Sequence, residues 1–222
     1  MRADSQDTVN ELLNVAERLF ARHGVEHVPL TRIVASSGQK NRSALHYHFG
    51  SREGLLAAVL DRRLKHINAL RHEMLEEAVG SGGLAGTVRA FVAPLGFVVL
   101  SEPWGPDYVS ILAQVRFHPR LLGRRVLDDA SLSSIRRCRQ LIEQALPKIP
   151  RTVLLRRLSW FTDSVALAIA RWAHETPKSS RTHGCMRDLN ESLVAYGVAG
   201  LSAWQPGVDQ AEGTVARRRM VR

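Results

Sequence analysis

The sequence of 222 residues has little of what several protein classes require. It contains only two cysteines, Cys138 and Cys185, which are too few for a disulfide framework and suit a reducing compartment. Its longest apolar run, at 88–100, is interrupted by an arginine, a proline and a glycine, and it falls short of the roughly 20 residues of a membrane-spanning helix. No basic stretch followed by an apolar core opens the chain, so no signal peptide is expected. We therefore expect a cytoplasmic protein without a membrane segment, in which both cysteines are buried structural thiols; a redox-sensing pair is the alternative.

Signals of catalysis are also scarce. No strand-like alternation is apparent, and no glycine-rich phosphate loop follows a strand. His23 and His27 are separated by the helix-ending Gly24, and His46 and His48, two residues apart, point to different sides of a helix. We therefore predict no cofactor and no metal site. An enzyme of helical fold remains the rival class.

What the sequence does contain is apolar residues at helical spacing along the N-terminal third. A first helix is predicted over 5–23, with Gly24 as its left-handed stop. A second, short helix follows Pro29, and a long fourth helix is predicted over 51–78, starting at a serine cap. Two short helices joined by a glycine-containing turn and packed on a longer helix predict a helix-turn-helix unit.

The segment 38–53 has the side chains of a helix that reads DNA. Leu45 and Phe49, four residues apart, provide an apolar back, and the polar residues between them point away from it. Three cations and a single acid accompany this helix. An apolar back, a front of hydrogen-bonding groups and flanking cations are what a helix needs in a DNA major groove. An ordinary surface helix that happens to carry histidines is the alternative.

Residues 9–64 resemble the DNA-binding domain of the TetR family of transcriptional regulators. The resemblance is carried by the run A-E-R-L-F-A-R-H-G at 16–24, the turn at 33–38, and the run L-H-Y-H-F-G-S-R-E-G-L-L at 45–56. These motifs cover about a quarter of the chain and are highly specific as a set.

The sequence departs from the family pattern in three places. The threonine that usually caps the second helix falls at Val28 or Pro29, which removes one expected phosphate contact. The turn from Gly38 to Leu45 is one residue longer than usual, and His46 replaces the common tyrosine.

The resemblance implies an all-α fold in which an N-terminal three-helix helix-turn-helix DNA-binding domain is joined by a long helix to a larger helical body. We expect the DNA-binding domain over 5–50, an effector-binding and dimerisation domain over 51–204, and a disordered basic tail over 205–222. The resemblance also implies a homodimer, most simply a repressor, that binds a palindromic double-stranded DNA operator and is released by a small, apolar effector. A DNA-binding regulator without a small-molecule effector is the alternative.

Ten residues are predicted to contact DNA. Arg42 is the candidate for a bidentate contact to guanine, and Thr31 and Arg52 are expected to grip the phosphate backbone. The full set is Thr31, Lys40, Asn41, Arg42, Ser43, Ala44, His46, Tyr47, His48 and Arg52.

The remaining sequence predicts helices near 84–100, 106–117, 120–145, 151–174 and 184–204, separated by proline- and glycine-containing breaks. Aromatic residues in this body are candidates for lining an apolar effector pocket, together with one acid in an apolar helix. They are Trp104, Tyr108, Phe117, Trp160, Phe161 and Asp163. Each of them could equally be plain core.

The last two helices predict how the chain assembles. The stretch 160–173 is apolar almost all round, and a helix hydrophobic on two faces must be covered by its own core and by something else. Two such helices from each of two chains form a four-helix bundle, a common twofold dimer arrangement; both helices being central in a monomer is the alternative. The predicted interface residues are Leu167, Arg171, Leu189, Leu193, Tyr196, Gly197, Gly200 and Trp204.

The net charge of +10 does not mark the DNA-binding region. Residues 1–78 carry 11 Lys and Arg against 10 Asp and Glu, whereas the other 144 residues carry 20 against 11. The excess of cations therefore lies in the body and the tail, where solvated helix faces account for most of it.

Overall fold

A computed structural model describes residues 2–38, 43–118, 121 and 131–203, and the regular structure within these ranges is helical. The helices are α1 Arg2–His23, α2 Leu30–Ser36, α3 Ser43–Phe49, α4 Arg52–Ser81, α5 Gly83–Ser101, α6 Gly105–Phe117, α7 Ser133–Ala145, α8 Arg151–Glu175 and α9 His183–Ser202, with a short 3-10 helix at Lys178–Ser180. The prediction of an all-α chain, with three helices joined by a long fourth to a larger helical body, is confirmed.

The helices α1, α2 and α3 pack with the start of α4 to form the head. Gly24 ends α1 with a φ of +90°, as its position predicted, and its N–H donates to the Phe20 carbonyl at 3.0 Å. The apolar core of the head consists of side chains that are at most 1% exposed, namely Leu12, Ala16, Phe20, Val28, Ile33, Leu45 and Leu55.

The body comprises the rest of α4 and α5 to α9, and α5 lies at its centre. This helix contacts α4, α6, α7, α8 and α9. Among the described helices it alone is long and apolar enough to cross a membrane, and 56% of the qualifying stretch is buried inside the protein. Packing against five neighbours therefore accounts for its apolar composition.

The helix predicted over 120–145 is wrong at its start. The observed α7 begins at Ser133, and Ser131 lies in the turn before it; of residues 119–130, only Leu121 belongs to the described part of the chain. The Ser131 carbonyl accepts a hydrogen bond from the Asn68 amide at 2.9 Å, and its hydroxyl donates to Asp61. Because the polar groups of Ser131 are bonded to α4, the turn before α7 is held by tertiary contacts that helical periodicity does not reveal.

The two cysteines occupy different environments. Cys138 is buried on α7, and burial raises the pKa of its thiol to about 11. Cys185 is exposed in the first turn of α9, where the next residue, Met186, faces the core. The expectation of two buried thiols is therefore wrong for Cys185.

Candidate nucleic-acid interface

The helix α3 is fixed from behind and presents polar groups in front. Leu45 is 1% exposed, and Phe49 packs against the core. On the other side His46 is exposed and Tyr47 is 86% exposed. The rings of Tyr47 and His48 meet edge to face with their centroids 5.0 Å apart. A large aromatic side chain left this open on a rigid helix is available to a partner.

The corner between α3 and α4 sets the direction of α3. A β-carbon at Gly54 would lie 2.1 Å from the Phe49 carbonyl oxygen, so only glycine permits this close approach. The Ser51 hydroxyl accepts the Gly54 N–H at 3.1 Å and caps α4, as predicted. The helix α3 is therefore held at a defined angle to α4, which continues into the body.

His46 has a defined orientation because its Nδ1 lies 2.6 Å from the Gly50 carbonyl oxygen. A carbonyl oxygen only accepts hydrogen bonds, so Nδ1 must carry the proton. The Nε2 of the neutral ring then remains as an acceptor on an exposed side chain. Such an acceptor suits the exocyclic amino group of adenine or cytosine in the major groove.

The predicted phosphate contacts have different surroundings. Thr31 is exposed on α2, whose N-cap is Pro29 with no side-chain capping bond, in agreement with the missing threonine. The Arg52 guanidinium is half-buried, and its Nη1 donates to the carbonyl oxygens of Val25 (2.7 Å) and Val28 (2.5 Å). This nitrogen joins α4 to the α1–α2 turn, which leaves a phosphate contact to the other N–H groups of Arg52.

Several predicted positions lie outside the described residues. Lys40, Asn41, Arg42 and Trp204 belong to this group, and for Ser43 and Ala44 only the backbone of α3 is described. Their roles remain predictions from the sequence.

A buried acid joins the head to α4. Glu17 on α1 is 2% exposed, and its carboxylate accepts from Arg62 at 2.8 Å and from Arg63 at 2.6 Å. The Arg63 guanidinium also lies over the Trp104 ring, 4.6 Å from its centroid. The Arg63 side chain, which belongs to α4, therefore connects this helix to α1 and to the start of α6.

A second polar seam connects the head to α6. The Gln114 side chain donates to the Phe20 carbonyl at 3.2 Å and accepts from the Val25 N–H at 2.9 Å. The Ser110 hydroxyl donates to the Ala21 carbonyl at 3.3 Å. The Ala21 carbonyl and the Val25 N–H lie at the C-terminal end of α1, where helical partners run out, whereas the Phe20 carbonyl already accepts the Gly24 N–H and takes a second bond. A movement of α6 would therefore act directly on the head.

The structure distributes the six predicted pocket residues over different environments. Tyr108 and Phe161 are buried, and Trp104 is half-buried with its ring edge-to-face to Tyr108 at 5.9 Å. Phe117 and Trp160 are 57% and 59% exposed, so neither is enclosed within the chain, and their part in an effector pocket stays a prediction.

Asp163 has a partner within the chain. Its carboxylate accepts from Arg116 Nε at 2.5 Å, across α6 and α8. Asp163 is therefore a paired carboxylate and not an unpaired acid waiting for a ligand.

An open groove of about 430 Å³ lies between α4, α5 and α9. Its walls include Leu70, Met74, Phe97 and Met186, and the bidentate pair of Arg89 with Glu191 crosses its rim. The predicted pocket aromatics lie elsewhere in the body.

The outer face of α8 and α9 carries large apolar side chains. Trp160, Leu167 and Tyr196 are 59%, 45% and 55% exposed, and a β-carbon at Gly200 would meet no atom within 4 Å. We call these four residues the α8–α9 face. A hollow of about 210 Å³ opens on it, with Trp160, Tyr196 and Gly200 in its lining.

The other predicted interface residues divide into two groups. Arg171 is exposed and Leu189 is half-buried. Leu193 is 8% exposed, and a β-carbon at the buried Gly197 would lie 2.5 Å from the Phe161 ring. Leu193 and Gly197 therefore pack inside the chain, because α9 turns that side toward α5 and α8, and their assignment to the dimer interface stays a prediction.

Sequence reasoning missed Glu17 and Gln114. A glutamate among the apolar positions of α1 was the available signal, because Glu17 lies four residues after the buried Leu13 and three before the buried Phe20. Gln114 gave no signal, since its partners are backbone groups 94 and 89 residues away.

Comparison with known proteins gives two family matches. Residues 12–59 match the family described as "Bacterial regulatory proteins, tetR family". Residues 89–200, which are half of the chain, match "Tetracyclin repressor-like, C-terminal domain". The two matches fall on the head with the start of α4 and on the body from α5 to α9.

Individual relatives are more distant. The HTH-type transcriptional repressor AcnR of Corynebacterium diphtheriae is 31% identical over 132 residues, which cover 57% of this chain and 63% of that protein. AcnR of Corynebacterium glutamicum is 30% identical over 47% of each chain. The chain therefore spans about half to two thirds of the curated relatives that it matches. The solved TetR family transcriptional regulator PfmR from Thermus thermophilus is 18% identical, with 87% of this chain and 98% of that chain covered and a TM-score of 0.47.

Proposed function

The chain belongs to the TetR family of transcriptional regulators, and from that membership we propose that it is a homodimeric repressor that binds a palindromic operator. A small effector inside the body would release it from DNA. It would act in the cytoplasm, where its operator is.

The exposed front of α3 is the observation that carries the DNA-binding proposal. His46 and Tyr47 stand outward on a helix whose back is buried and whose angle is fixed at the Gly54 corner. In the proposed complex, residues 41–48 lie in the major groove, His46 Nε2 and Arg42 face base edges, and Thr31 lies at a phosphate.

The α8–α9 face supports the dimer. Charged residues are depleted and aromatic residues enriched at the centre of protein interfaces, and Trp160, Leu167 and Tyr196 fit that pattern. Two copies of this face would form a four-helix bundle around a twofold axis. The two heads would then meet two half-sites, and each would gain affinity from the other.

A matched pair of variants tests this interface, because Leu167 and Phe97 are both 45% exposed but only Leu167 lies on the α8–α9 face. Leu167→Glu should give monomers in analytical ultracentrifugation, because the charge would be buried without a partner. Phe97→Glu should remain dimeric. A monomeric wild-type protein at micromolar concentration would remove the dimer from the proposal.

The release step is supported by the contacts of α6. An effector can lower DNA affinity only by binding more tightly to the arrangement of heads that does not fit the operator. Ser110 and Gln114 bond α6 to the end of α1, so a ligand that shifts α6 changes the position of the head. The experiment is operator affinity with and without a compound shown to bind the body. Equal affinities for every such compound would favour a regulator without a small-molecule effector.

A further inference from the structure

A buried cation in the middle of the body has no acid beside it among the residues that the structure describes. Arg71 lies on α4 and is 2% exposed. It occupies a place in the buried stripe of this helix, between Ile67 and Leu75. A guanidinium does not lose its proton in proteins, so the charge is present whatever the surroundings.

The hydrogen bonds of Arg71 do not neutralise that charge. Its Nη1 donates to the Ser134 hydroxyl at 2.9 Å, and its Nε is buried without a hydrogen-bond partner. Ser134 in turn donates to the Asn68 side chain at 2.5 Å, so its proton is already used. The polar partners around the guanidinium are therefore uncharged, and one of its donors is unused.

The other neighbours of Arg71 are also neutral. Its guanidinium carbon lies 5.8 Å from the centroid of the Phe91 ring. Tyr108 and Cys138 are the groups whose charge would act on it, and burial raises the pKa of both, so both are protonated at neutral pH. Within 2–38, 43–118, 121 and 131–203, no carboxylate forms an ion pair with Arg71.

Three other arginines of the chain, unlike Arg71, form ion pairs with an acid. Arg62 and Arg63 share the Glu17 carboxylate, and Arg116 binds Asp163. All three are more exposed than Arg71, so water already lowers their cost. An unpaired charge is most unfavourable where burial is deepest, and within the described ranges Arg71 is such a charge.

We propose that Arg71 is the anchor for the carboxylate of a small organic acid that binds inside the body. The fork of the guanidinium matches a carboxylate in shape, and the Tyr108 hydroxyl provides a second donor from α6. A carboxylate carries one charge, which one arginine neutralises; a phosphate would call for further cations. This inference rests on the proposed function, because it identifies the bound acid with the effector. The effector would then be an apolar molecule with one anionic group.

The first test needs no ligand, because it asks whether Arg71 is uncompensated. Arg71→Met replaces the cation by a neutral chain of similar length, and we expect the dialysed full-length protein to melt at a higher temperature than the wild type. Arg116→Met is the control, and it should melt lower because it leaves Asp163 without its partner.

The second test uses matched probes, namely benzoate with benzamide, phenylacetate with phenylacetamide, and hexanoate with hexanamide. At millimolar concentration at least one acid should raise the melting temperature of the wild type, while its amide should not. The rise should vanish in Arg71→Met and shrink in Arg71→Lys, which keeps the charge but loses the fork.

Three results would overturn the anchor. One is a lower melting temperature for Arg71→Met, together with an equal, non-additive loss in the double variant Asp128→Asn/Asp129→Asn. Asp128 and Asp129 are adjacent acids that lie outside the described residues, and that result would make them the counter-ion of Arg71. The others are equal stabilisation by acids and amides, and no Arg71-dependent stabilisation by any acid in the panel.

Operator binding separates this inference from the proposed function. Arg71-dependent binding of an acid that leaves operator affinity unchanged would keep the anchor and remove the switch. Release of the operator by compounds that bind equally well to Arg71→Met would keep the switch and remove the anchor.

Discussion

Glu17 at the junction of head and body and Arg71 inside the body are both 2% exposed, yet their partners differ. Two arginines neutralise Glu17, and Asn14 bonds one of them at 2.9 Å. Arg71 has a serine and an aromatic ring. A buried charge that is fully paired inside the chain holds elements together. In our proposal, a buried charge without a counter-ion among the described residues takes that counter-ion from a ligand.

Breaking the pairing at the junction should have the largest effect. Glu17→Gln leaves two partly buried arginines without their acid, and it should lower the free energy of unfolding by about 3 kcal/mol in urea denaturation. Glu11→Gln is the control, because Glu11 faces Arg18 at 4.0 Å on the surface, and it should cost about 0.5 kcal/mol or less. Equal losses in both variants would show that the Glu17 pairing does not join head and body.

Arg52 and Arg42 separate holding from reading within the head. Arg52→Ala removes charged hydrogen bonds to the Val25 and Val28 carbonyls, and it should lower the unfolding free energy by about 2 kcal/mol. Arg42→Ala should leave stability unchanged, weaken operator binding by about 1–3 kcal/mol and relax base preference. Stability and DNA affinity are measured on the same preparations. An unchanged base preference in Arg42→Ala would remove it as a base reader.

The start of α4 should give a smaller effect. Ser51→Ala removes the cap of this helix and should cost about 1 kcal/mol. The pKa of Glu53 is held below its ordinary value by a hydrogen bond from its own backbone and one from Ser51. The stabilisation of the folded state by the Glu53 carboxylate is therefore complete at pH values above the ordinary pKa, and it is lost as the pH falls through the lowered pKa. The free energy of unfolding is measured against pH for the wild type and Ser51→Ala. If both lose the same stability on acidification, Ser51 does not contribute to the lowered pKa of Glu53.

The smallest effect concerns access to the interior beside Arg71. Cys185 is exposed and should react with a thiol reagent in the native protein. Cys138 is buried with its thiol pKa raised to about 11, so it should react only after unfolding. Counting modified thiols by mass spectrometry, with Cys185→Ser as control, checks this. Rapid labelling of Cys138 in the folded control variant would mean that water reaches the Arg71 region freely.

Local signals in the sequence were sufficient for most of the fold. Gly24 ends α1, Ser51 caps α4 and Leu45 anchors α3, because each of these features depends on neighbours within one or two turns. The same is true of the outward direction of His46 and Tyr47. Helix boundaries set by tertiary contacts were missed, as at Ser131, whose polar groups bond to α4.

The interior of the body was harder to predict. Aromatic residues suggested a pocket, but composition does not tell which face of a helix the chain leaves open, and Trp160 and Phe117 proved exposed. A more useful signal was present at Arg71. It interrupts a stripe of apolar residues at helical spacing, and a cation in such a stripe either has a partner in the chain or binds one from outside it.

Selection of bound sequences from a random double-stranded DNA library, with the full-length protein at low salt, tests recognition of DNA by two symmetric heads most directly. We expect enrichment of two inverted half-sites whose centres lie about one or more helical turns apart. The same selection with Leu167→Glu should yield weaker enrichment of a single half-site. No enrichment over the starting library, or an unpaired half-site with the wild-type protein, would contradict recognition by a twofold dimer.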